Sequence, residues 1–462
     1  MKTIINYLKQ LAYLVSMSLM ALSLTGCEKD LEVGLPNSQL TGHSVFKDAT
    51  TAKAALSQVY ADIRDNPPFT GTADGLNILL GLYADELKYY GEGGLSSEAF
   101  YIHNIQASNS LNAGFWSGAY QAIYECNAIL NGLATSPLTK EEQAPLKGEA
   151  LFLRAFLHFY LANLYGDIPY ITTTDYLLNA KVKRQPEGKA YAAMIADLEL
   201  AKELLLDADE PGQNIYATKG AANTLLSRIY LYRQEWQKSA EAATSVLESS
   251  IYTWPDDLSQ VFTSNGTGII WQLPPVEGTI TKEAMTFIFE TGPPPIVALQ
   301  PEFVESFEPG DARATQWIGV VTDGNQNWYY PYKYKTRAAG NGPEEFSVLM
   351  RLAEVIFVRA EARAHLGDIS GAQADLNLVR QRAGLANTSA DTADELITAI
   401  IQERRHELFT EGHRWFDLKR LGLAASVLQP IKPNWKDTNL LLPLPQEELR
   451  LNPNLEPQNP GY

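Results

Sequence analysis

Aromatic side chains are concentrated in one short stretch of this sequence. Residues 327–335 read NWYYPYKYK, with five aromatic rings in nine residues, in a chain that is 10% aromatic overall. Indole and phenol rings can lie flat against the C–H face of a pyranose, while amides and carboxylates bind its hydroxyls. If each stacked ring contributes roughly 1–2 kcal/mol, three rings give about the 4 kcal/mol of a millimolar complex. These residue types therefore suit weak, reversible contact with a sugar.

Alternation within this stretch separates core positions from candidate contacts. Trp328, Tyr330, Tyr332 and Tyr334 fall on even positions, which is the period of a strand with one buried face. The preceding TDGNQN is typical of a turn, so we expect Trp328 at the exposed start of the strand and Tyr329 on the opposite face from its neighbours. Within the stretch, Trp328 and Tyr329 are the predicted ligand contacts.

Other aromatic residues are candidates for the same role. Tyr89 and Tyr90 lie in ADELKYYGEGG, a glycine-rich stretch in which apolar packing is hard to arrange. Tyr101, Trp271 and Trp317 complete the predicted set. Trp271, in GIIWQL, is as readily interpreted as a buried strand residue, because tryptophan is mostly buried in proteins.

The densest charged segment, IIQERRHELFTEGHRWFDLKRLG, predicts a structural ion-pair network. Acids and bases interleave along it instead of forming two opposed carboxylates, so paired side chains explain it better than catalysis; the charged residues are Glu403, Arg404, Arg405, Glu407, Glu411, Arg414, Asp417 and Lys419. His406 and His413 are too far apart for a zinc motif, and no nucleophile elbow, phosphate loop or dinucleotide fingerprint occurs. We therefore predict no enzyme activity, no catalytic residue, no metal and no cofactor.

The first 26 residues have the pattern of a secretory signal. Lys2 and Lys9 precede an apolar run from Leu11 to Thr25 that is short for a bilayer span, and LTGC follows. This ending resembles a bacterial lipobox, which predicts cleavage after residue 26 and lipidation of Cys27; an ordinary secretory signal with an incidental Cys27 is the alternative. The net charge of −17 opposes nucleic-acid binding. Cys126 is the one other cysteine and is predicted to be a small buried residue.

The elements that must position these residues are predicted to be paired helices. Helical apolar spacing runs from Val45 to Arg64 and recurs from Trp116 onward, and Thr139 with Glu142 forms a capping box. The segments 221–249 and 352–382 each have the pattern of helix, turn and helix, and resemble tetratricopeptide repeats. Repeat-like pairs are thus expected at about 45–250 and 346–425. The helical period is lost at about 251–345, which predicts an irregular insert with short strands that presents the ligand site.

Four blocks of sequence resemble the SusD/RagB family of outer-membrane nutrient-binding lipoproteins. They are the lipobox, GEALFLRAFLHFYLANLYGDIPYI, RLAEVIFVRAEARAHLGD with LNLVRQRAGL, and IIQERRHELFTEGHRWFDLKRLG; the ending LLPLPQEELRLNPNLEPQNPGY is also similar. The resemblance implies a mainly α, single SusD-like domain over residues 27–462. It also implies a SusC-like TonB-dependent transporter as partner. The acidic residues after Cys27 resemble the surface-export signal of Bacteroidetes lipoproteins.

The resulting hypothesis is a lipid-anchored protein on the exterior of the outer membrane. It would bind an oligosaccharide and deliver it to the transporter. The first alternative is the same fold capturing peptides, and the second, less favoured, is a secreted glycoside hydrolase.

Overall fold

Helices dominate the chain, as the apolar spacing predicts. The computed structural model describes residues 45–66, 68–209, 213–340, 342 and 344–462, together with Met1 and Ile4. The predicted signal peptide and Cys27 therefore lie outside the described residues. The longer helices are α1 (Ala49–Asp65), α2 (Leu76–Tyr83), α4 (Ser110–Ala134), α5 (Lys140–Tyr165), α7 (Glu187–Leu204), α8 (Lys219–Tyr232), α9 (Trp236–Leu247), α13 (Leu352–His365), α14 (Ile369–Arg382) and α15 (Ala393–Glu407).

Shorter elements connect these helices. The short helices are α3 (Glu98–Tyr101), α6 (Tyr176–Asn179), α10 (Lys282–Phe287), α11 (Pro301–Glu305), α12 (Ala312–Gln316), α16 (Arg414–Arg420), α17 (Ala424–Leu428) and α18 (Gln446–Leu451). Single 3-10 turns lie at Leu258–Gln260, Asp437–Leu440 and Pro453–Leu455. The strands are β1 (Leu87–Tyr89), β2 (Ile269–Leu273), β3 (Val297–Leu299), β4 (Ile318–Thr322), β5 (Asn327–Pro331) and β6 (Ser347–Arg351).

The long helices stack as a continuous series of pairs. Helix α4 packs on α5, α5 on α7, α7 on α8, α8 on α9, α9 on α13, and α13 on α14 and α15. Each pair buries an apolar face that it could not bury alone, which is the packing logic of helical repeats. The mainly α prediction with repeat-like pairs is confirmed, and Val45–Tyr462 form one compact unit.

Local signals in the sequence start several of these helices. The Thr139 hydroxyl accepts the Glu142 amide N–H at 3.2 Å, and the Glu142 carboxylate accepts the Thr139 N–H at 2.8 Å, as the predicted capping box requires. From Leu146 to Tyr165, α5 is buried on nearly every side, because neighbours pack around it. Cys126 is fully buried in α4, and burial raises the pKa of its thiol, which confirms its structural role.

Two small antiparallel sheets interrupt the helical array. One sheet pairs β2 with β6, and the other has the strand order β1-β3-β5-β4. Strands β3, β4 and β5 come from the insert, whereas β1 comes from the KYY segment far earlier in the chain. Among the residues that the structure describes, none of the helices combines the length and apolar composition needed to cross a bilayer. The four-stranded sheet therefore joins KYY and NWYYPYKYK, the two aromatic segments that are predicted to contact ligand.

Candidate ligand-binding site

The four-stranded sheet places the KYY segment on one side of β3 and the NWYYPYKYK segment on the other. Leu87 of β1 pairs with Leu299 of β3, and Leu299 pairs in turn with Tyr329 of β5. Tyr90 follows β1 and continues the pairing, because its N–H donates to the carbonyl of Ile296 at 2.8 Å. Val320 of β4 pairs with Tyr329 from the other side. One sheet thus carries aromatic residues from both segments.

The two faces of this sheet have different neighbours. On the inner face, Leu87, Val297 and Leu299 belong to an apolar core that includes Trp317, and Tyr329 packs against that core. On the outer face, Phe289, Ala298 and Trp328 form a separate small cluster, against which Tyr90, Val321 and Tyr330 pack. Because side chains alternate across a strand, adjacent tyrosines in the sequence are divided between the two faces.

Three predicted contacts, Trp271, Trp317 and Trp328, are buried, with exposed fractions of 0%, 0% and 6%. This agrees with the buried-strand interpretation of Trp271, whereas the expectation that Trp328 is exposed at the start of its strand is wrong. Trp271 lies edge-on to Phe152 and Phe156, at ring-centroid distances of 5.2 and 5.0 Å. A tryptophan so enclosed presents no ring face to a sugar.

Trp317 and Trp328 are covered for different reasons. The Trp317 indole N–H donates to the carbonyl of Leu258 at 3.2 Å, inside the inner-face core. The backbone at Gly292 lies directly on the Trp328 ring, because a Cβ placed there would be 2.0 Å from a ring carbon. The loop that precedes β3 therefore covers the strand position that the turn pattern had indicated as exposed.

The four predicted tyrosines are half-buried, but they do not form one surface. Tyr89, Tyr101 and Tyr329 pack against the inner-face core. The Tyr89 hydroxyl donates to the carbonyl of Glu92 at 2.8 Å, and the Lys432 ammonium lies 4.2 Å from the centre of the Tyr101 ring. Tyr90 alone among the four packs against the outer-face cluster. Partial burial raises the pKa of Tyr90, so its hydroxyl stays protonated at neutral pH.

The alternation predicts that Tyr330 and Tyr332 lie in the core, but both are half-buried, and Tyr330 packs with Tyr90 against the outer-face cluster. Their ring centroids are 5.7 Å apart at 85°, and the Tyr330 ring lies 5.2 Å from that of Phe289. We call Tyr90, Tyr330 and Tyr332 the sheet platform. Lysines border it: Lys88 lies 5.4 Å from the centre of the Tyr90 ring and Lys335 lies 5.5 Å from that of Tyr332.

Gly319 is the residue in the sequence that could have indicated the position of this platform. It pairs with Tyr330 across the strands, and a Cβ built on it would be 2.1 Å from the Tyr330 ring. A glycine opposite an aromatic residue lets the ring lie across the neighbouring backbone. The Tyr330 ring is therefore held flat against β4 instead of standing away from the sheet.

The period-two alternation along NWYYPYKYK stops at Pro331, where β5 ends. Lys333, at an odd position, is consequently buried, and its ammonium donates to the carbonyls of Glu407 and Phe409 at 2.8 Å each. It also donates to the carboxylate of Glu411 at 2.5 Å. Burial lowers the pKa of Lys333 to about 8, although Glu411 opposes the shift. This lysine anchors the aromatic segment to the charged block below the sheet.

The charged block is an ion-pair network, as predicted. Glu407 accepts from Arg351 at 2.5 Å and from Arg382 at 2.5 Å, and Arg313 bridges Glu403 and Glu407. Arg404 pairs with Asp417 at 2.9 Å. The arginines hold the pKa of Glu407 well below its ordinary value and that of Glu411 at about 2, despite burial. These carboxylates are therefore ionised and already bound to cations.

The groups around the sheet platform are suited to non-covalent contact. Among the described residues, no group of three or more histidine, cysteine, aspartate and glutamate side chains is placed to hold a metal ion. His406, a possible ligand by type, instead stacks on Phe307 with ring centroids 4.3 Å apart. The sheet platform offers ring surfaces, phenol hydroxyls and two lysines, which can contact an uncharged or polar ligand.

Comparison with known proteins places this architecture in a recognised class. Residues 90–231 match a family model described as starch-binding associating with outer membrane, and residues 306–439 match the SusD family model. A SusD superfamily protein from Bacteroides vulgatus superposes with a TM-score of 0.81 at 23% identity, over 90% of this chain and all of the other. The fold is thus that of the SusD superfamily.

Two further relatives support the assignment from the sequence. SusD-like protein P2 of Formosa agariphila is 28% identical over 97% of this chain and 99% of its own length. A laminarin-binding SusD-like protein of known structure is 25% identical, with a TM-score of 0.78, over 90% of this chain and all of the other. The chain belongs to the SusD/RagB family, as the four sequence blocks predicted.

Proposed function

We propose that this protein is a cell-surface lipoprotein of the outer membrane that captures an oligosaccharide and passes it to a SusC-like TonB-dependent transporter. The observation that carries the proposal is the sheet platform: Tyr90 and Tyr330 are half-buried against the outer-face cluster, and the half-buried Tyr332 ring contacts that of Tyr330. Half-exposed rings fixed by a folded sheet lose little conformational freedom when a flat ligand stacks on them.

The relatives indicate which ligand class to test first. The family model that matches residues 90–231 is described as starch-binding, and a structural relative is described as laminarin-binding. Both polymers are neutral glucans, whose pyranose units have apolar faces and hydroxyl edges. A neutral glucan is therefore the proposed cargo class for the platform.

The ion pairs support a binding role without catalysis. A glycoside hydrolase needs two carboxyl groups that flank the scissile bond, one of them available as an acid. In the charged block, Glu403, Glu407 and Glu411 each contact arginine, and Glu411 also contacts Lys333. The lowered pKa values of Glu407 and Glu411 make these two carboxylates poor proton donors at neutral pH.

Retention by immobilised glycans tests the proposal. The purified chain would be run through gels that contain laminarin, starch or neither polymer, and separately incubated with a peptide digest. Tyr330→Ala and Tyr90→Ala should each weaken retention by about ten-fold, as expected from the loss of one stacked ring. Tyr330→Phe keeps the ring and should retain most of the binding.

Other outcomes would contradict specific parts of the proposal. Wild-type retention by the Tyr90→Ala and Tyr330→Ala variants would remove the sheet platform from the site. Binding of peptides but of neither polymer would favour the peptide-capturing alternative. Release of shorter sugars from laminarin or starch would contradict the non-enzymatic role.

A further inference from the structure

A second cleft lies on a part of the surface that shares no residue with the sheet platform. It has a volume of about 590 Å³ and runs between α4, the segment 169–182 and α18. This volume falls within the range of about 300–1,000 Å³ that is typical of small-molecule sites. The cleft is formed by the helical array and the C-terminal segment, not by the insert.

The walls of the cleft carry exposed aromatic and apolar side chains. Tyr176 is 74% exposed, Leu451 is 66% exposed and Tyr124 is 45% exposed. Trp116 and Tyr120 lie deeper, with ring centroids 4.9 Å apart. Most aromatic residues of the described chain are buried, so two accessible tyrosines at one cleft mark it as a candidate contact surface.

Hydrogen bonds hold the walls in place without a ligand. The Tyr120 hydroxyl donates to the carbonyl of Pro169 at 2.8 Å, and the Asn127 amide donates to that of Ile171 at 3.1 Å. On the far side, the Asn452 amide donates to the carbonyl of Val182 at 2.9 Å. Both ends of the segment 169–182 are therefore tied to the rest of the fold, which lowers the entropy lost on binding.

The polar groups of the cleft favour a ligand that donates hydrogen bonds. The Asn179 side-chain N–H₂ donates to the carbonyl of Thr173 at 2.8 Å, which fixes the amide. Its carbonyl oxygen is buried without a partner among the described residues. A buried acceptor of this kind is costly unless a ligand or water satisfies it. Burial raises the pKa of the nearby Glu448, although a hydrogen bond with Trp116 opposes the shift.

Charge further limits the ligand class. The described residues that line the cleft include Glu448 but no lysine or arginine. An anionic ligand would meet no cation in the cleft lining and would be repelled by the carboxylate. Hydroxyl groups, by contrast, can donate to Asn179 and Glu448 while an adjoining apolar ring face covers Tyr124 or Tyr176.

We propose that this cleft binds a short stretch of a neutral oligosaccharide by stacking it on Tyr124 and Tyr176 and hydrogen-bonding its hydroxyls to Asn179 and Glu448. The cleft is a second carbohydrate site, separate from the sheet platform. The helical array would hold a glycan bound there, whether or not the sheet platform also binds glycan.

The test weakens the sheet platform with Tyr330→Ala and reads the cleft from the further effect of substitutions at Tyr124 and Tyr176. The full chain carrying this substitution would be titrated by calorimetry, in detergent, with laminarihexaose, maltohexaose, cellohexaose and xylohexaose. At least one hexasaccharide should bind, and adding Tyr176→Ala or Tyr124→Ala should weaken that binding about ten-fold. Leu177→Ala is the matched control, because Leu177 is 60% exposed next to Tyr176 but does not line the cleft. Tyr176→Phe should bind like the parent.

Three results would overturn the inference. The first is that none of the four sugars binds in the Tyr330→Ala background, and the second is that binding persists unchanged when Tyr124 and Tyr176 are replaced. In the third, Leu177→Ala and Tyr176→Ala both weaken co-purification with the SusC-like transporter, while sugar binding stays intact. That result would show that the cleft contacts a protein and not a sugar. Adding Tyr90→Ala to the Tyr330→Ala background removes a second platform ring, so binding that survives there and falls with Tyr124→Ala or Tyr176→Ala belongs to the cleft.

Discussion

Arg313 is a fully buried cation surrounded by carboxylates. Its guanidinium donates to Asp311 at 2.7 Å and also contacts Glu403 and Glu407, with none of its side chain exposed. Removing one partner of such a group leaves buried charges without compensation, which destabilises proteins by about 3–5 kcal/mol. Arg313→Met should therefore lower the free energy of unfolding by about that amount, as measured by urea denaturation.

The control for this prediction is an ion pair at the surface. Arg450 and Glu447 form a salt bridge with side chains that are 66% and 67% exposed. Arg450→Met should leave the urea midpoint unchanged, because water already solvates both charges. An equal loss in the two variants would contradict the role assigned to burial.

Glu86 should make stability depend on pH. Its side chain is buried, with Asp85 nearby, and burial raises its pKa from 4.5 to about 8, although the Thr410 N–H, Arg414 and Lys333 oppose the shift. Between these values the folded protein holds a proton that the unfolded chain releases. The free energy of unfolding therefore falls as pH rises, by at most about 1.4 kcal/mol per pH unit from this residue.

Glu86→Gln removes this titration and keeps the side-chain shape. Relative to wild type, the variant should gain stability from pH 5 to pH 8 in urea titrations at each pH. The exposed Glu92→Gln should follow wild type throughout. A Glu86→Gln variant that tracks wild type at every pH would show that Glu86 is ionised in the fold.

At the scale of residues, the sequence predicted that the charged side chains form ion pairs, but not which residues they pair with. Interleaved charges in the segment from Glu403 to Lys419 indicated ion pairing, and the structure has it. The partners Arg313, Arg351 and Arg382 come from distant segments, and one chain's spacing carries no information about them. The burial of Trp328 was missed for a similar reason, because the covering loop at Gly292 is remote in sequence.

In β4, Gly319 leaves room for the Tyr330 ring of the sheet platform, because glycine has no side chain. Gly319→Ala would place a Cβ 2.1 Å from the Tyr330 ring, so the ring must move off the strand. We expect about ten-fold weaker retention on the glycan that binds wild type, with a smaller change in melting temperature. Affinity gels and thermal denaturation measure the two effects.

Gly188→Ala is the matched control for this element, because a Cβ at Gly188 in α7 would meet nothing within 4 Å. It should leave retention unchanged. Wild-type retention by Gly319→Ala would show that the position of the Tyr330 ring does not matter for binding.

Helices were more predictable than strands in this protein. Apolar spacing and the Thr139 capping box are local, so they located α4, α5 and the pairs α8/α9 and α13/α14 from sequence. The strands are three to five residues long, and their pairing joins segments far apart in the chain. Period-two alternation indicated β5 but could not show that it ends at Pro331, before Tyr332. It placed Trp328 and Tyr330 on one face but could not show that the loop at Gly292 covers Trp328 while Tyr330 stays partly exposed.

For the whole molecule, we predict that Cys27 determines membrane attachment. Cys27→Ala should remove the acylation site that the LTGC pattern predicts, and the protein should leave the membrane fraction. Metabolic labelling with a fatty-acid analogue and fractionation measure this. Cys126→Ala is the control, because that thiol is fully buried and should not affect either result. Membrane attachment of an unlabelled Cys27→Ala protein would contradict the lipobox interpretation.

The four-stranded sheet places β1, which ends at Tyr89, and β5, which begins at Asn327, on either side of β3. A chain that leaves the ribosome or a secretion channel from its N-terminus cannot close this sheet until most of its length has emerged. Contacts between such distant segments also form slowly during folding. Premature termination before β5 would therefore leave many of the stacked helices encoded but the sheet platform unformed, so we expect truncated products to lose the proposed glycan contact.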